Sequence, residues 1–377
     1  MALKEQAVGW SYNPYSLIAH ERLNVGAVSV TMWDWAHVLL CDGLLDNAVA
    51  MFFKTLQRSH ARSSMYEYAD FALKMTLPKH MSGLEYVLSQ PKIFLNLKKI
   101  DFAGTASELL TQAPLLARYI RGVVLPREEC VRHCENLLAL FDILELITSL
   151  KAKLRVDPCR LLTMIESYLE GFKALYGESV LKFKHHAALH LPGVLARHGD
   201  LPSTLTNERR HKVVKRYTRD RLCGQNWELG SLEEVVCQQL HECKSDWYSH
   251  MLVDAHKPNA RVLSALQNLW PWVTSFTVSA RARCRHSQVT CGDFIWYDLT
   301  SLGVAGACLG SLVLLVNADG ADVAILTYCE PFTHDAAWPA FTCKDELVVV
   351  SLECILCSTV SKRNEDKVSV HRPLFLR

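Results

Sequence analysis

SLVLLVNADGADVAILTYCEP (residues 311–331) is the stretch that decides the C-terminal part of the fold. Its flanks are rich in β-branched and aliphatic residues. The Asn317-Ala318-Asp319-Gly320 between them has the composition of a tight hairpin turn. Residues 311–316 and 323–331 are therefore expected to be two strands of one hairpin. The same texture recurs on either side, in GDFIWYDL (292–299), ELVVVSLECILCSTV (346–360) and KVSVHRP (367–373). Five short strands joined by tight turns predict a small closed β-barrel over 285–377. Residues 257–284 read as a linker, with an apolar Leu269-Trp270-Pro271-Trp272 and the basic Arg281 and Arg283 near its end, followed by Arg285.

Further toward the N-terminus the periodicity changes. From about Ser64 to Gly177 apolar residues recur at three- and four-residue intervals, as in Leu137, Leu138, Phe141 and Leu144, and predict helices. Breaks are expected at Leu77-Pro78, Gln90-Pro91, Ala113-Pro114, Leu125-Pro126 and Asp157-Pro158. Before this region, AVSVTMW (27–33) is a short β-branched run that predicts a buried strand. Asp34 follows it at once, ahead of an amphipathic stretch from Trp35 to about Leu56. Asp34 thus stands between a strand end and a helix start, where a helix cap and a functional carboxylate are both natural.

Composition narrows the class. In 377 residues, half are hydrophobic and 21% are charged, which predicts globular domains and excludes widespread disorder. The formal net charge is +2, so any affinity for nucleic acid must come from local patches. The opening MALKEQAVGW lacks a charged-then-apolar leader pattern, and no apolar run is long enough to span a bilayer. The expectation is a soluble, intracellular protein without a membrane partner, its fourteen cysteines mostly reduced.

The strongest local patch is TNERRHKVVKRYTRDR (206–221). Seven of its residues are basic, against two acids, Glu208 and Asp220. Val213, Val214 and Tyr217 have helical spacing, so one face can pack while the rest carries charge. Arg209, Arg210, Lys212, Lys215, Arg216 and Arg219 are the candidate DNA contacts. Five such contacts to phosphates give a log–log salt slope of roughly −4 to −5. Thr206 or Asn207 can cap the helix and place Glu208 in its first turn. Phosphoryl transfer on nucleic acid commonly uses carboxylate-held divalent ions, and Asp34 with Glu208 fits part of such a set.

MWDWAHVLLCDGLLDNAV (32–49) resembles the block with the second acidic residue of transposases that have an RNase H-like DDE catalytic domain. It is most similar to those of large, CACTA-like plant and protist elements, in which an Asp is followed three residues on by His. KFKHHAALHLPGVLARHGDLPSTLTNERRHKVVKRY (182–217) is similar to their later block, which leads into the helix with the final acidic residue. The resemblance implies that Asp34 and Glu208 are the second and third ligands of Mg²⁺ or Mn²⁺. It implies an α+β architecture: a mostly helical, partial RNase H-like domain with a large helical insertion, then the barrel. The parts would be 1–60 (strand, Asp34 and helix), 61–180 (insertion), 181–256 (the remainder with the basic helix), the linker and the barrel. The first catalytic Asp of the family has no counterpart, since no Asp precedes Asp34. The implied protein is therefore a C-terminal portion or an inactive derivative of a transposase. It would be nuclear and DNA-binding, with a second copy or the missing N-terminal portion as protein partner. The alternative is a protein-interaction scaffold whose C-terminal β module is the reader.

Other constellations are weaker. His186 and His190 have zinc-ligand spacing but lack the Glu of the HExxH pattern. Cys354 and Cys357 have ligand spacing, but strand geometry sends such thiols to opposite faces. Cys130, His133 and Cys134 read as core or surface residues. Trp296, Tyr297, Tyr328, Phe332 and Trp338 could line an aromatic cage, though strand-spaced aromatics are more often core.

Overall fold

The computed structural model describes residues 33–79, 95–96, 101–102, 106–150, 154–203, isolated positions between 230 and 240, 250–284, 287–299, 306–333, 338–364 and 367–371. The expected strand at 27–33 lies outside them except for Trp33. The whole basic segment from Thr206 to Arg221, with Glu208, lies outside them as well.

The first part is helical. Its elements are α1 (Trp35–Leu39), α2 (Leu44–Arg58), α3 (Met65–Leu73), α4 (Ala106–Tyr119), α5 (Val131–Ser149), α6 (Pro158–Tyr176), α7 (Phe183–Ala188) and α8 (Leu191–His198). A two-residue ladder, β1 (Leu95–Asn96) with β2 (Asp101–Phe102), interrupts them. Local chemistry sets many of the boundaries. Ser64 caps α3 by accepting from Glu67 N at 3.2 Å. Asp157 caps α6 by accepting from Cys159 N at 3.0 Å, and Pro158 occupies the first helical position, where its missing N–H costs nothing. The left-handed Gly199 ends α8. Pro114, however, sits inside α4 and does not end it. Its neighbours Leu115, Leu116 and Tyr119 are buried, so tertiary packing overrides the local break. A π turn at Ile120–Val124 and a 3₁₀ turn at Leu125–Arg127 follow.

Helix α2 is buried on nearly every side, from Leu44 through Leu56. Trp35–Arg58 has the length and hydropathy of a membrane span, but its most apolar window is 83% buried inside the protein. It is thus the central element of the helical core, which also takes in Tyr68, Leu116, Phe141, Ile165, Phe172 and Leu191.

The second part is β. Its strands are β3 (Met251–Val253), β4 (Phe276–Ser279), β5 (Arg281–Cys284), β6 (Ser287–Thr290), β7 (Phe294–Asp298), β8 (Ala307–Ala318), β9 (Ala321–Pro331), β10 (Ala340–Ser351), β11 (Ile355–Thr359), β12 (Ser361–Asn364) and β13 (Lys367–Val370). One helix, α9 (Ala260–Leu269), is capped by Asn259, which accepts from Val262 N at 2.9 Å. The main sheet runs β11-β7-β8-β9-β10-β13-β12, with β4 pairing alongside β8, and β3-β5-β6 forms a smaller sheet. Residues 257–284, expected as a linker, therefore carry one helix and strands of both sheets.

One architectural expectation is corrected. Among the described residues every strand pair is antiparallel, and the N-terminal part buries its helices against one another rather than against a catalytic sheet. The fold is α+β with antiparallel sheets, and the partial RNase H-like domain is not what these residues build. Among the described residues the strand pairing does not run round into a closed barrel. β11 and β12 are the two ends of the sheet, and only Val360 separates them in sequence. Instead of meeting β11, Ser361 exchanges both backbone hydrogen bonds with Thr76 of the helical part, at 2.7 and 3.0 Å. Val360 itself is buried in the helical core.

This edge belongs to a wider seam. Trp338 also enters the helical core, with Arg118 over its ring at 5.3 Å and the His371 ring at 5.5 Å. His371 Nε2 lies 3.2 Å from Glu145 of α5. The buried Asp293 accepts from Lys79 N at 3.1 Å, while Lys79 Nζ donates to the Cys291 carbonyl.

Candidate functional site

The two sequence blocks that carry the transposase resemblance start at Met32 and Lys182, yet their described residues meet. Trp33 stacks on His190, with ring centroids 5.3 Å apart and planes 11° from parallel. The same indole touches Phe183 at 5.7 Å. Lys184 Nζ donates to the Cys41 carbonyl, so the start of α7 is tied to the turn after α1. The helices between Leu44 and Tyr176 form an excursion that leaves and returns to this point.

Asp34 is the N-cap of α1. Its Oδ1 accepts from Ala36 N at 2.8 Å, and its Oδ2 lies 2.6 Å from His37 Nδ1. The carboxylate is largely covered (13% exposed), while His37 is 40% exposed. A charge-assisted pair of this length orients the imidazole as well as the carboxylate. Asp42 follows on the exposed turn in left-handed backbone, and Asp46 is buried in the first turn of α2.

Beside this pair lie the histidines of the second block. His186 and His190 place their Nε2 atoms 3.2 Å apart, with rings nearly perpendicular. Burial first, and then the neighbouring His186, hold His190 below the ordinary imidazole range. His185 points the other way, into the core against Phe172, and accepts from Lys182 N at 2.9 Å. Burial lowers its affinity for a proton too. Of the three histidines, His185 is structural and the other two are accessible.

A divalent cation bound through carboxylates needs more than this set offers. Asp34 already has both oxygens engaged, and no cluster of three or more His, Cys, Asp or Glu side chains suited to a metal exists among the described residues. The described residues therefore do not by themselves fit Mg²⁺ or Mn²⁺. Glu208 and the six basic candidates, Arg209, Arg210, Lys212, Lys215, Arg216 and Arg219, lie outside the described residues.

The remaining constellations do not assemble a site among the described residues. Trp296 and Tyr297 are fully buried, and Trp296 Nε1 donates to the His371 carbonyl at 3.0 Å. Phe332 is exposed and carries Lys367 over its ring, far from forming a cage with buried Trp338. Cys354 and Cys357 pack into different clusters of the β part. Cys134 is buried, and Cys130 contacts Ser59 Oγ at 3.3 Å. Sequence reasoning missed the part played by Trp33, whose only local signal is its position beside Asp34. No protein-family model and no curated protein matches the chain.

Proposed function

We propose that the chain is a transposase-derived, DNA-binding protein that is catalytically incomplete. The observation that carries this reading is the contact of the two resembling blocks through Trp33, His190 and Phe183. The contact brings the two resembling blocks onto one surface, as a shared site would require. The second block leads, within twenty residues of His190, into the basic stretch 206–221. Its excess of positive charge suits phosphate backbones, where contacts position a protein without reading sequence. Asp34 and Glu208 are the retained acidic positions on this reading, and a nuclear location follows from the DNA target.

The test is binding to a random-sequence DNA duplex across a salt series. The wild type should show a steep log–log slope, about −4 to −5 if five phosphates are met. The combined Lys212→Glu, Lys215→Glu and Arg216→Glu variant should lose binding while remaining folded by circular dichroism. Absence of binding by folded wild-type protein at low salt would refute the reading. It would turn attention to the exposed Leu347 and Val349 of β10, which favour the scaffold alternative.

A further inference from the structure

We propose that Cys329 and Cys343 form a thiol-oxidation site, in which a peroxide converts the two facing thiols into a reversible cross-strand disulfide. The two residues are direct partners in the antiparallel pair of β9 and β10, and their Sγ atoms are 3.6 Å apart. Phe332 N donates to Ala340 O at 2.7 Å, which fixes the alternation of the ladder. Counting from there, Phe341–Pro331 and Cys343–Cys329 are both non-hydrogen-bonded pairs. Such pairs bring opposed Cα atoms to about 4.5 Å and their side chains closest together. A disulfide accepts Cα separations from about 4.4 Å, so side-chain rotation alone can close the bond. The register of β10 slips between Cys343 and Leu347, so the ladder next to Cys343 has room to adjust.

The surroundings assign different roles to the two thiols. Cys329 is 1% exposed and sits among Trp296, Leu309, Phe341, Val368 and Val370, which keep water and other thiols away. Cys343 is only partly buried and flanks Lys344, which pairs with Glu330 at 2.6 Å. The oxidant therefore reaches Cys343. Its sulfur takes one oxygen from the peroxide to become a sulfenic acid, and the peroxide leaves as an alcohol or water. The Cys329 sulfur then attacks the Cys343 sulfur, the S–S bond forms and the sulfenic oxygen leaves as water. Two thiol protons and two electrons are lost in total, matching the reduction of one O–O bond. Burial and the neighbouring Cys343 hold the Cys329 thiol protonated, so the second step is slow, and closure follows sustained exposure rather than a brief pulse.

The test uses the full chain treated with hydrogen peroxide, blocked with an alkylating agent and mapped by mass spectrometry. A Cys329–Cys343 linked peptide should account for most of the Cys329-containing material and should disappear on treatment with dithiothreitol. Cys329→Ser and Cys343→Ser should each abolish it. Cys357→Ser should leave it unchanged, although Cys357 packs in the same cluster. The proposal is overturned if wild-type protein gives no linked peptide while Cys343 advances to sulfinic acid. It is equally overturned if Cys357 is the partner found. Both results are read on wild-type protein, so a variant that fails to fold does not blur the answer.

Discussion

Replacing Trp33 by alanine removes the side chain that joins the two halves of the candidate site. Trp33 makes two ring contacts, with His190 at 5.3 Å and Phe183 at 5.7 Å. At about 0.5–1.5 kcal/mol for each aromatic pair, the loss is roughly 1–3 kcal/mol, with lost apolar burial adding to it. Urea unfolding of Trp33→Ala against wild type reads this term, and Trp33→Phe should recover part of it. The second readout is more specific. His190 is held below its ordinary value of 6.5 first by burial and then by His186. Removing the stacked indole exposes more of the ring, so its pKa should rise toward 6.5 without reaching it, because His186 remains. The sign of the linkage follows. A histidine with a depressed folded pKa binds fewer protons folded than unfolded, so its contribution falls as pH drops through 6.5 toward the folded pKa. Wild type should lose stability over that window, and Trp33→Ala should show a shallower loss. Nuclear magnetic resonance titration of the imidazoles tests this directly. An unmoved His190 titration together with a stability change under about 0.5 kcal/mol would refute the assignment of Trp33 as the joining residue.

Two further perturbations probe how the β part is held. Trp338→Ala should cost about 3–5 kcal/mol in chemical denaturation, because the indole is buried at the seam between helices and strands. A loss below about 1 kcal/mol would mean that the seam contributes little to folding. Asp319 accepts from Thr274 N, Thr274 Oγ1, Ser275 N and Ser275 Oγ, which draws its pKa down to about 2. Its stabilisation is complete above its ordinary value of 3.8 and fades as pH falls through about 2. Asp319→Asn should therefore flatten the decline of the melting temperature between pH 4 and pH 2, and an identical decline would argue against the loop anchor.

The β part was legible wherever the chemistry is local. At the β8–β9 turn, Asp319 and Gly320 take positive φ values of 45° and 92°, the backbone that favours Asp and Gly. Asn317 Oδ1 accepts from Gly320 N at 3.1 Å, closing the turn with a side chain visible in the motif. Residues 346–360 read as one strand because their apolar run is nearly continuous, but the structure splits them in two. A single Ser351 hydroxyl, accepting from Glu353 N at 3.3 Å, starts the 3₁₀ turn that ends β10. After it, β11 pairs with β7 instead of following β9. The strands in 257–284 were missed for a related reason. β5 is Arg-Ala-Arg-Cys, whose arginines hide the alternation that buries Ala282 and Cys284.

The helical part shows the opposite limit. Its caps at Ser64 and Asp157 are written in the sequence, but the partner of each apolar face is not. The amphipathic stretch after Asp34 could as well have packed on a sheet, and the transposase resemblance favoured that. Its surroundings decide otherwise: Ala48, Phe52 and Leu56 are buried among helices, where a sheet would offer a flat face to only one side of α2. The contact of Trp33 with His190 is invisible to any local pattern, since the two lie on opposite sides of the helical excursion. The polar and aromatic residues that meet there, Trp33, Phe183, His186 and His190, come from the two blocks. Such residues lower stability unless something pairs them, and here the pairing is with each other. This ties the site to the fold: α1 and α7 meet only because the helices between them return the chain to the same place.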